Sequence, residues 1–372
     1  MSSLSFFLLI FNFPIPYIQS SAILALLLNI SALLRLRYIS IPINFYKLII
    51  VYLLILSLTI SITLFIGHDF SLSIAILKVI IFILISTIII NIYKNKKDIS
   101  TIILNAFSIQ AIVSILSIVS SDFYNLTSIF RTETTLTINT NSDGVRGNII
   151  ASDPFFLTGY LVPIALYILL ENQEKFSKIK AIFYLLCLIS IAFLSARTSI
   201  IGIIFTIFIF LMKNFKNILY SMIILLSLII IGIIFQDNKL VSFVFELFYN
   251  IFQNNNATTK SSDVLLNMLS SFSLPNFFGE GRWLNADGSY FGHTDSGYMR
   301  TIYYYGIFSL IFYSLYFYLT YIIKKDYGIK FTLFFIFWSS ICQIKGEIFI
   351  YPAYANSLLL ILLLWKMKNE KA

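Results

Sequence analysis

Long apolar runs constrain the fold of this chain more than any other feature of its sequence. Isoleucine, leucine and phenylalanine recur in stretches of about 20 residues, the length that a helix needs to cross a bilayer. Because lipid offers no hydrogen bonds to the backbone, such runs form helices. Only 12% of the residues are charged, well below the share that is typical of soluble domains. The sequence therefore predicts an all-α, polytopic integral membrane protein, with one membrane domain over residues 1–372.

Apolar spans that could cross the membrane number about twelve. The first is short and broken by Pro14 and Pro16, but it lacks the basic start and cleavage site of a signal peptide. If it does not cross, eleven spans remain and only the N-terminus changes side. The spans are 4–17, 19–35, 44–66, 70–93, 99–120, 154–171, 179–195, 198–212, 217–235, 296–323, 329–344 and 350–366.

The positive charges predict how these spans are oriented. Of the 26 Lys and Arg residues, 17 fall in one set of short loops and 8 in the other set. Cytoplasmic loops carry the excess of Lys and Arg, so the first set is cytoplasmic. Both termini are then cytoplasmic (N-in and C-in), and two long loops, 121–153 and 236–295, lie on the other side. The net charge of +9 has this origin, and we expect no nucleic-acid partner.

The two faces of the membrane differ in which cation they carry. Five of the seven arginines are outside, against only three of the nineteen lysines. Positive charge alone sets topology, but the planar fork of arginine pairs bidentately with phosphate. The outer face is therefore expected to recognise an anionic, phosphorylated ligand. Ordinary ion pairs with outer acidic residues are the alternative explanation.

The richest stretch of candidate site residues ends the second outer loop. It comprises Gly279-Glu-Gly-Arg-Trp283 and then His293-Thr-Asp-Ser-Gly-Tyr-Met-Arg300, which leads into the span that starts at residue 296. Asp295 or Ser296 stands where a helix N-cap is needed, and a helix N-terminus attracts anions. Arg300 follows about one helical turn later, near the membrane surface.

Three shorter outer segments hold further candidates. Arg197 lies in the tight turn Ser195-Ala-Arg-Thr-Ser199, which would keep it at the membrane surface, although snorkelling to headgroups explains it equally. Arg146 lies between two glycines, which let the backbone approach a ligand or simply form a turn. The outer turn Lys345-Gly-Glu347 brings a lysine close to a glutamate, and these two side chains could merely pair.

Several kinds of chemistry find no support in the sequence. Two histidines, together with Cys187 and Cys342 in apolar runs, do not make a metal site. There is no P-loop, GxGxxG, HExxH or GxSxG pattern, so we expect no cofactor, no metal and no use of ATP. Lys78 is the one charge deep inside a span, where a charge is functional by default unless its long stem snorkels.

The candidate motifs resemble those of the O-antigen polymerase family, which is related to the O-antigen ligases. The resemblance rests on the 195–199 turn, the long outer loop before the late spans, and the stretch His293–Tyr298 leading into Tyr305-Gly-Ile307. It implies a glycosyltransferase that joins lipid-linked repeat units at the periplasmic face of the bacterial inner membrane. The substrate would be an oligosaccharide on undecaprenyl pyrophosphate. Membrane lipid and a polysaccharide chain-length regulator are the other partners that it implies.

The resemblance also implies roles for individual residues. His293 is the first candidate for the base, since its unperturbed pKa of about 6.5 suits neutral pH, and Asp295 is the second. A ligase would use the same donor, whereas a flippase or secondary transporter should carry charges along its spans. The candidates for binding the pyrophosphate and the sugars are Arg146, Arg197, Arg282, Arg300, Tyr298 and Lys345.

Overall fold

The structure is a computed structural model that describes residues 1–17, 20–35, 43–93, 98–132, 136, 148–211, 234, 246, 249–250, 260–348 and 361–362. Its elements are helices, and within these ranges the only β-type pairing is an isolated bridge between Leu284 and Tyr290. The predicted all-α class is therefore confirmed. The predicted spans at 217–235 and 350–366 lie almost entirely outside the described residues.

The helices of the described residues largely follow the predicted spans. In chain order they are α1 (Ser2–Phe11), α2 (Ser21–Leu28), α3 (Ile30–Leu34), α4 (Ile43–Ile62), α5 (Ser71–Tyr93), α6 (Ile99–Val119), α7 (Ser121–Ser128), α8 (Phe156–Glu171), α9 (Lys178–Leu194), α10 (Arg197–Leu211), α11 (Lys260–Ser270), α12 (Gly297–Tyr305) and α13 (Ser309–Lys345). Both predicted outer loops contain a helix, α7 in the first and α11 in the second.

Four of the described helical stretches are long and apolar enough to cross a membrane. They correspond to the predicted spans at 44–66, 70–93, 99–120 and 329–344. Apolar helices of this kind are consistent with a membrane protein, while the count of about twelve spans stays a prediction. The four stretches are Tyr46–Gly67, Ser71–Tyr93, Ile99–Val119 and Tyr327–Lys345, and shorter apolar helices are Ser2–Phe11, Phe156–Glu171 and Thr198–Phe210.

The chain forms two compact units. Unit 1 comprises Met1–Ala25 and Lys97–Lys260, and unit 2 comprises Leu26–Lys96 and Ser261–Ala372. In unit 1, α8 packs against α9 and α10, while α6 packs against α1 and α9. Every residue of α8 from Leu157 to Leu169 is buried, as expected of a helix that is apolar all round. The core of unit 1 is therefore built around α8.

In unit 2, α4 packs against α5 and α13, and α12 packs against α13. Two pairs of buried hydroxyls tie α12 to the end of α4. Thr59 Oγ1 lies 2.6 Å from the hydroxyl of Tyr305, and Thr63 Oγ1 lies 2.5 Å from that of Tyr304. Buried hydroxyls need hydrogen-bond partners, so these pairs fix the position of α12, the helix that carries Arg300.

The predicted span 296–323 is interrupted in the structure. α12 ends at Tyr305, and Gly306 adopts φ +53° before a short 3-10 turn leads into α13. A Cβ on Gly306 would lie 2.3 Å from the backbone N of Gly279, so the glycine makes room for another loop. The apolar pattern extends through Gly306 unchanged, which is why hydropathy predicted one continuous helix here.

Candidate functional site

The candidate site is centred on Arg300, a buried residue in the first turn of α12. Its guanidinium carbon lies 3.9 Å from the centre of the Trp283 ring and 3.5 Å from that of Tyr290. A cation over an aromatic face gains about 2 kcal/mol when it is desolvated. The two rings therefore fix the orientation of the guanidinium.

Asp69 holds the backbone that carries Trp283. The N–H groups of Trp283 and Leu284 donate to Asp69 Oδ2 at 2.6 and 2.9 Å, and the N–H of Ser71 donates to Oδ1 at 2.9 Å. Burial raises the pKa of the Asp69 carboxyl, but hydrogen bonds from Leu284, Ser71 and Trp283 lower it by more, and the net pKa lies below its ordinary value. Asp69 therefore positions the Trp283 backbone and, with it, the ring that contacts Arg300.

Replacement of Asp69 with asparagine should lower thermal stability at neutral pH, because the amide has only one acceptor oxygen. A carboxyl whose folded-state pKa is lowered stabilises the fold above its unfolded pKa, and this contribution disappears as the pH falls through the folded-state pKa. The difference in melting temperature between wild type and Asp69→Asn should therefore shrink below about pH 4. Thermal unfolding of the detergent-solubilised protein across this range measures it.

Asp98 provides the control for this pH dependence. It pairs with Lys175 at 3.3 Å, but both side chains are exposed, and exposed ion pairs contribute little. Asp98→Asn should leave the melting temperature nearly unchanged at every pH. A destabilisation by Asp69→Asn that stays constant from neutral to acidic pH would contradict a role for the ionised carboxylate.

The glycines of the Gly279–Trp283 stretch allow it to dock on the end of α12. The N–H of Glu280 donates to the carbonyl of Tyr303 at 2.7 Å, and that of Gly281 donates to the carbonyl of Tyr304 at 3.2 Å. Gly281 adopts φ +58° and sits so close to Gly67 that a Cβ on Gly67 would lie 2.0 Å from the Gly281 oxygen. The motif is thus explained by close backbone approach.

A short hairpin after Trp283 brings Tyr290 against Arg300. Leu284 and Tyr290 form the isolated bridge, and the N–H of Asn285 donates to the carbonyl of Ser289 at 2.8 Å. Asp287 Oδ1 accepts from the backbone N–H and the hydroxyl of Ser289, at 2.9 and 2.6 Å. These bonds close the turn and position the Tyr290 ring.

His293 and Asp295, the predicted bases, lie in the exposed segment just before α12. His293 adopts φ +49°, a left-handed conformation that is uncommon outside glycine. Hydrogen bonds from Ser289 lower the pKa of Asp287, and the charge of the nearby His293 lowers it further. Ser296 occupies the N-cap position of α12, so Asp295 is not its cap residue.

Two predicted binding residues lie at helix ends in unit 2: Tyr298 is at the start of α12, and Lys345 is at the end of α13. The Tyr298 ring is tilted against that of Tyr313 at 5.7 Å, and Lys345 is the half-exposed last residue of α13. Glu347, which follows Lys345 in the same turn, is buried and accepts hydrogen bonds from Thr301 Oγ1 at 3.1 Å and Gln343 Nε2 at 2.9 Å. These bonds join the first turn of α12 to the end of α13.

The other predicted arginines are Arg146, Arg197 and Arg282. Arg282 is exposed beside Trp283. Arg197 begins α10 in unit 1, after a turn of only two residues, and its side chain lies outside the description. Arg146 falls outside the described residues. Their roles stay predictions.

Arg131 lies in the first predicted outer loop and was not selected as a site residue by sequence reasoning. Its side chain is buried in unit 1, with its guanidinium carbon 4.4 Å from the Tyr124 ring centre. It donates to the carbonyls of Tyr124 and Asn148 and to Ser117 Oγ, each at 3.2 Å. These acceptors are protein groups, so Arg131 ties the first outer loop together.

The described residues contain no group of three or more His, Cys, Asp or Glu side chains that could hold a metal ion. Cys187 and Cys342 are buried, free thiols. The arrangement in unit 2 is instead a fixed cation with exposed histidine and carboxylate groups nearby in the chain. Comparisons of the sequence with protein-family models and with curated proteins, and of the fold with solved structures, found no match.

Proposed function

We propose that this protein polymerises lipid-linked O-antigen repeat units at the periplasmic face of a bacterial inner membrane. The donor is a growing glycan on undecaprenyl pyrophosphate, and the acceptor is one repeat unit on the same carrier. N-in and C-in topology and a chain-length regulator as partner are parts of the same proposal. An O-antigen ligase is the nearest alternative.

The observation that carries this proposal is the position of Arg300 between Trp283 and Tyr290. A lipid pyrophosphate presents oxyanions to the protein, and an arginine binds phosphate through two parallel N–H···O bonds. The two rings hold this cation before any ligand arrives, so no reorganisation is needed when charge develops. Aromatic rings beside a fixed cation also suit a ligand that combines sugars with phosphate.

The reaction needs only a base and a fixed cation. The acceptor hydroxyl oxygen attacks C1 of the donor's reducing-end sugar and forms the new C1–O bond. The bond between C1 and the pyrophosphate oxygen breaks, and undecaprenyl pyrophosphate leaves with the electron pair. The hydroxyl proton passes to a base. Negative charge grows on the leaving group, where a fixed guanidinium is most stabilising.

The base is assigned first to His293 and second to Asp295. Both side chains are exposed, and Arg300 lies seven positions after His293 in the same segment. Imidazole accepts a proton readily near neutral pH.

Lys78 argues against a transport function. Charges that line a transport path face the interior of a helix bundle. Lys78, the one charge deep inside a predicted span, is instead exposed on the surface of α5. Its stem can carry the ammonium group toward headgroups, which is the ordinary behaviour of lysine in a membrane helix.

Deletion of the gene, followed by electrophoresis of the surface polysaccharide, tests the proposal. Polymerase function predicts loss of the ladder with a single repeat unit retained on the lipid core. Loss of all O-antigen with accumulation of lipid-linked polymer would indicate a ligase. An intact ladder would contradict both functions and favour transport.

His293→Ala should reduce polymer formation about 10²-fold or more in the complemented deletion strain, because general-base catalysis contributes on that scale. His68→Ala is a closely matched control. His68 is the other histidine of the chain, is also exposed, and has a similar left-handed φ of +55°. The two substitutions should therefore have similar effects on the backbone. An equal loss of polymer from both variants would contradict a role for His293 as the base.

A further inference from the structure

Three apolar residues of α11 are exposed. Val264 is 52% exposed, Leu266 54% and Leu269 43%. Residues three positions apart share one side of a helix, so Leu266 and Leu269 form the exposed apolar side of α11, whereas Leu265 and Met268 are half-buried. Asp263, Asn267 and Ser270 share another, polar side, which is also exposed.

The exposed apolar surface continues after α11. Leu274 is 85% exposed, Phe277 67% and Phe278 52%. None of the side chains from Ser262 to Phe278 is fully buried. A contiguous apolar surface of this kind marks a site that is covered by another apolar body.

The structure connects this surface to the apolar side of α13. The N–H of Ile307 donates to the carbonyl of Phe277 at 2.9 Å, and the ring of Phe278 stacks on Phe308 at 5.8 Å. Ile307 is itself 42% exposed, and the exposed apolar surface extends from it along the start of α13 through Leu310 and Ile311. In a membrane protein, the exposed apolar side of such a helix contacts lipid acyl chains.

We propose that residues 260–278 lie along the periplasmic surface of the inner membrane. The apolar side of α11, Phe277 and Phe278 would then lie at the boundary between headgroups and acyl chains. α11 has 11 residues and a length of about 16 Å, too short to cross. A strongly amphipathic helix of this kind lies in the interface plane. The occupant of the surface is therefore the lipid bilayer, and this proposal does not rest on the polymerase function.

The segment would set the depth of the Arg300 site. Gly279 follows Phe278 directly, and the next two backbone N–H groups bind the carbonyls at the end of α12. Trp283 is therefore connected to the lipid-bound segment by four residues of fixed backbone. A membrane-bound 260–278 segment would hold the Trp283–Arg300 pair close to the headgroups.

Environment-sensitive fluorophores on single cysteines test the location. Cys187 and Cys342 are buried and are first replaced by alanine. Labels are then attached in Leu266→Cys and Phe277→Cys, and in Asn267→Cys on the polar side of α11 as the matched control. In proteoliposomes, lipids brominated on their acyl chains should quench the labels at 266 and 277 more strongly than aqueous iodide does. The order should be reversed at 267.

Two results would overturn the proposal. Quenching by iodide that is equally strong at all three positions would show that the segment stands in water. Protection from both quenchers at 266 and 277 would show that protein covers the surface, and disulfide cross-linking of Leu266→Cys copies would identify a second copy. Because Leu266 and Phe277 are exposed, their replacement opens no cavity, and size-exclusion elution verifies folding of each variant.

Discussion

Arg300→Lys should abolish most polymer formation although it keeps the positive charge. Lysine carries a compact charge on a flexible stem, so it cannot fill the planar space between Trp283 and Tyr290 or offer a bidentate fork. Loss of one preorganised donor at a site of developing charge lowers the rate about 10²–10³-fold, or about 3–4 kcal/mol. Electrophoresis of the polysaccharide from the complemented deletion strain, at matched protein levels, measures the effect.

Lys180→Gln is the control for this experiment. Lys180 also lies over two aromatic rings, 5.5 Å from Phe176 and 5.6 Å from Tyr184, but at the start of α9, the end that is predicted to be cytoplasmic. Its replacement removes a comparable contact and should leave the ladder unchanged. If Arg300→Lys formed as much polymer as the wild type, positive charge alone would suffice, and the stacked-arginine mechanism would be contradicted.

Gly279→Ala should destabilise the protein severely. A Cβ at this position would lie 2.3 Å from the carbonyl oxygen of Tyr304 and 2.6 Å from the N of Gly306, both backbone atoms that cannot rotate away. Relief requires the loop to leave α12, which breaks its hydrogen bonds to Tyr303 and Tyr304, worth about 1 kcal/mol each. Thermal unfolding and the yield of monodisperse protein measure the loss.

Gly288→Ala separates the steric clash from backbone strain. Gly288 has the same φ of +81° as Gly279, but a Cβ there would meet no atom within 4 Å. Alanine in the left-handed region costs about 1–2 kcal/mol at either site. Gly279→Ala should therefore be clearly less stable than Gly288→Ala, and equal melting temperatures would show that close docking of the loop is unimportant.

The helical class and several spans were predictable because hydropathy is a local property. The runs at 44–66, 70–93, 99–120 and 329–344 contain the side chains that lipid requires, and each corresponds to a helix of membrane-crossing length. The break at Gly306 was not predictable in this way. Its cause is the approach of Gly279, which lies 27 positions earlier and leaves no trace in local hydropathy.

The candidate site was predictable in part. Trp283 and Arg300 belong to stretches that composition and spacing already singled out, whereas Tyr290 lies between those two stretches. Asp69 was missed, because it lies 214 positions before Trp283 and its task is to accept backbone N–H groups, which any residue could supply. No pattern in the sequence indicates such a partner.

The sequence by itself determined the all-helical, apolar character of the chain and the excess of arginine in the predicted outer loops. Both follow from residue type, because transfer to lipid and affinity for phosphate are properties of individual side chains. Only the tertiary structure decided which arginine does what. Arg131 is bonded to protein acceptors, Arg282 is exposed, and Arg300 is held by two rings. Neighbours brought together from distant positions determine these differences, since burial and stacking depend on three-dimensional packing.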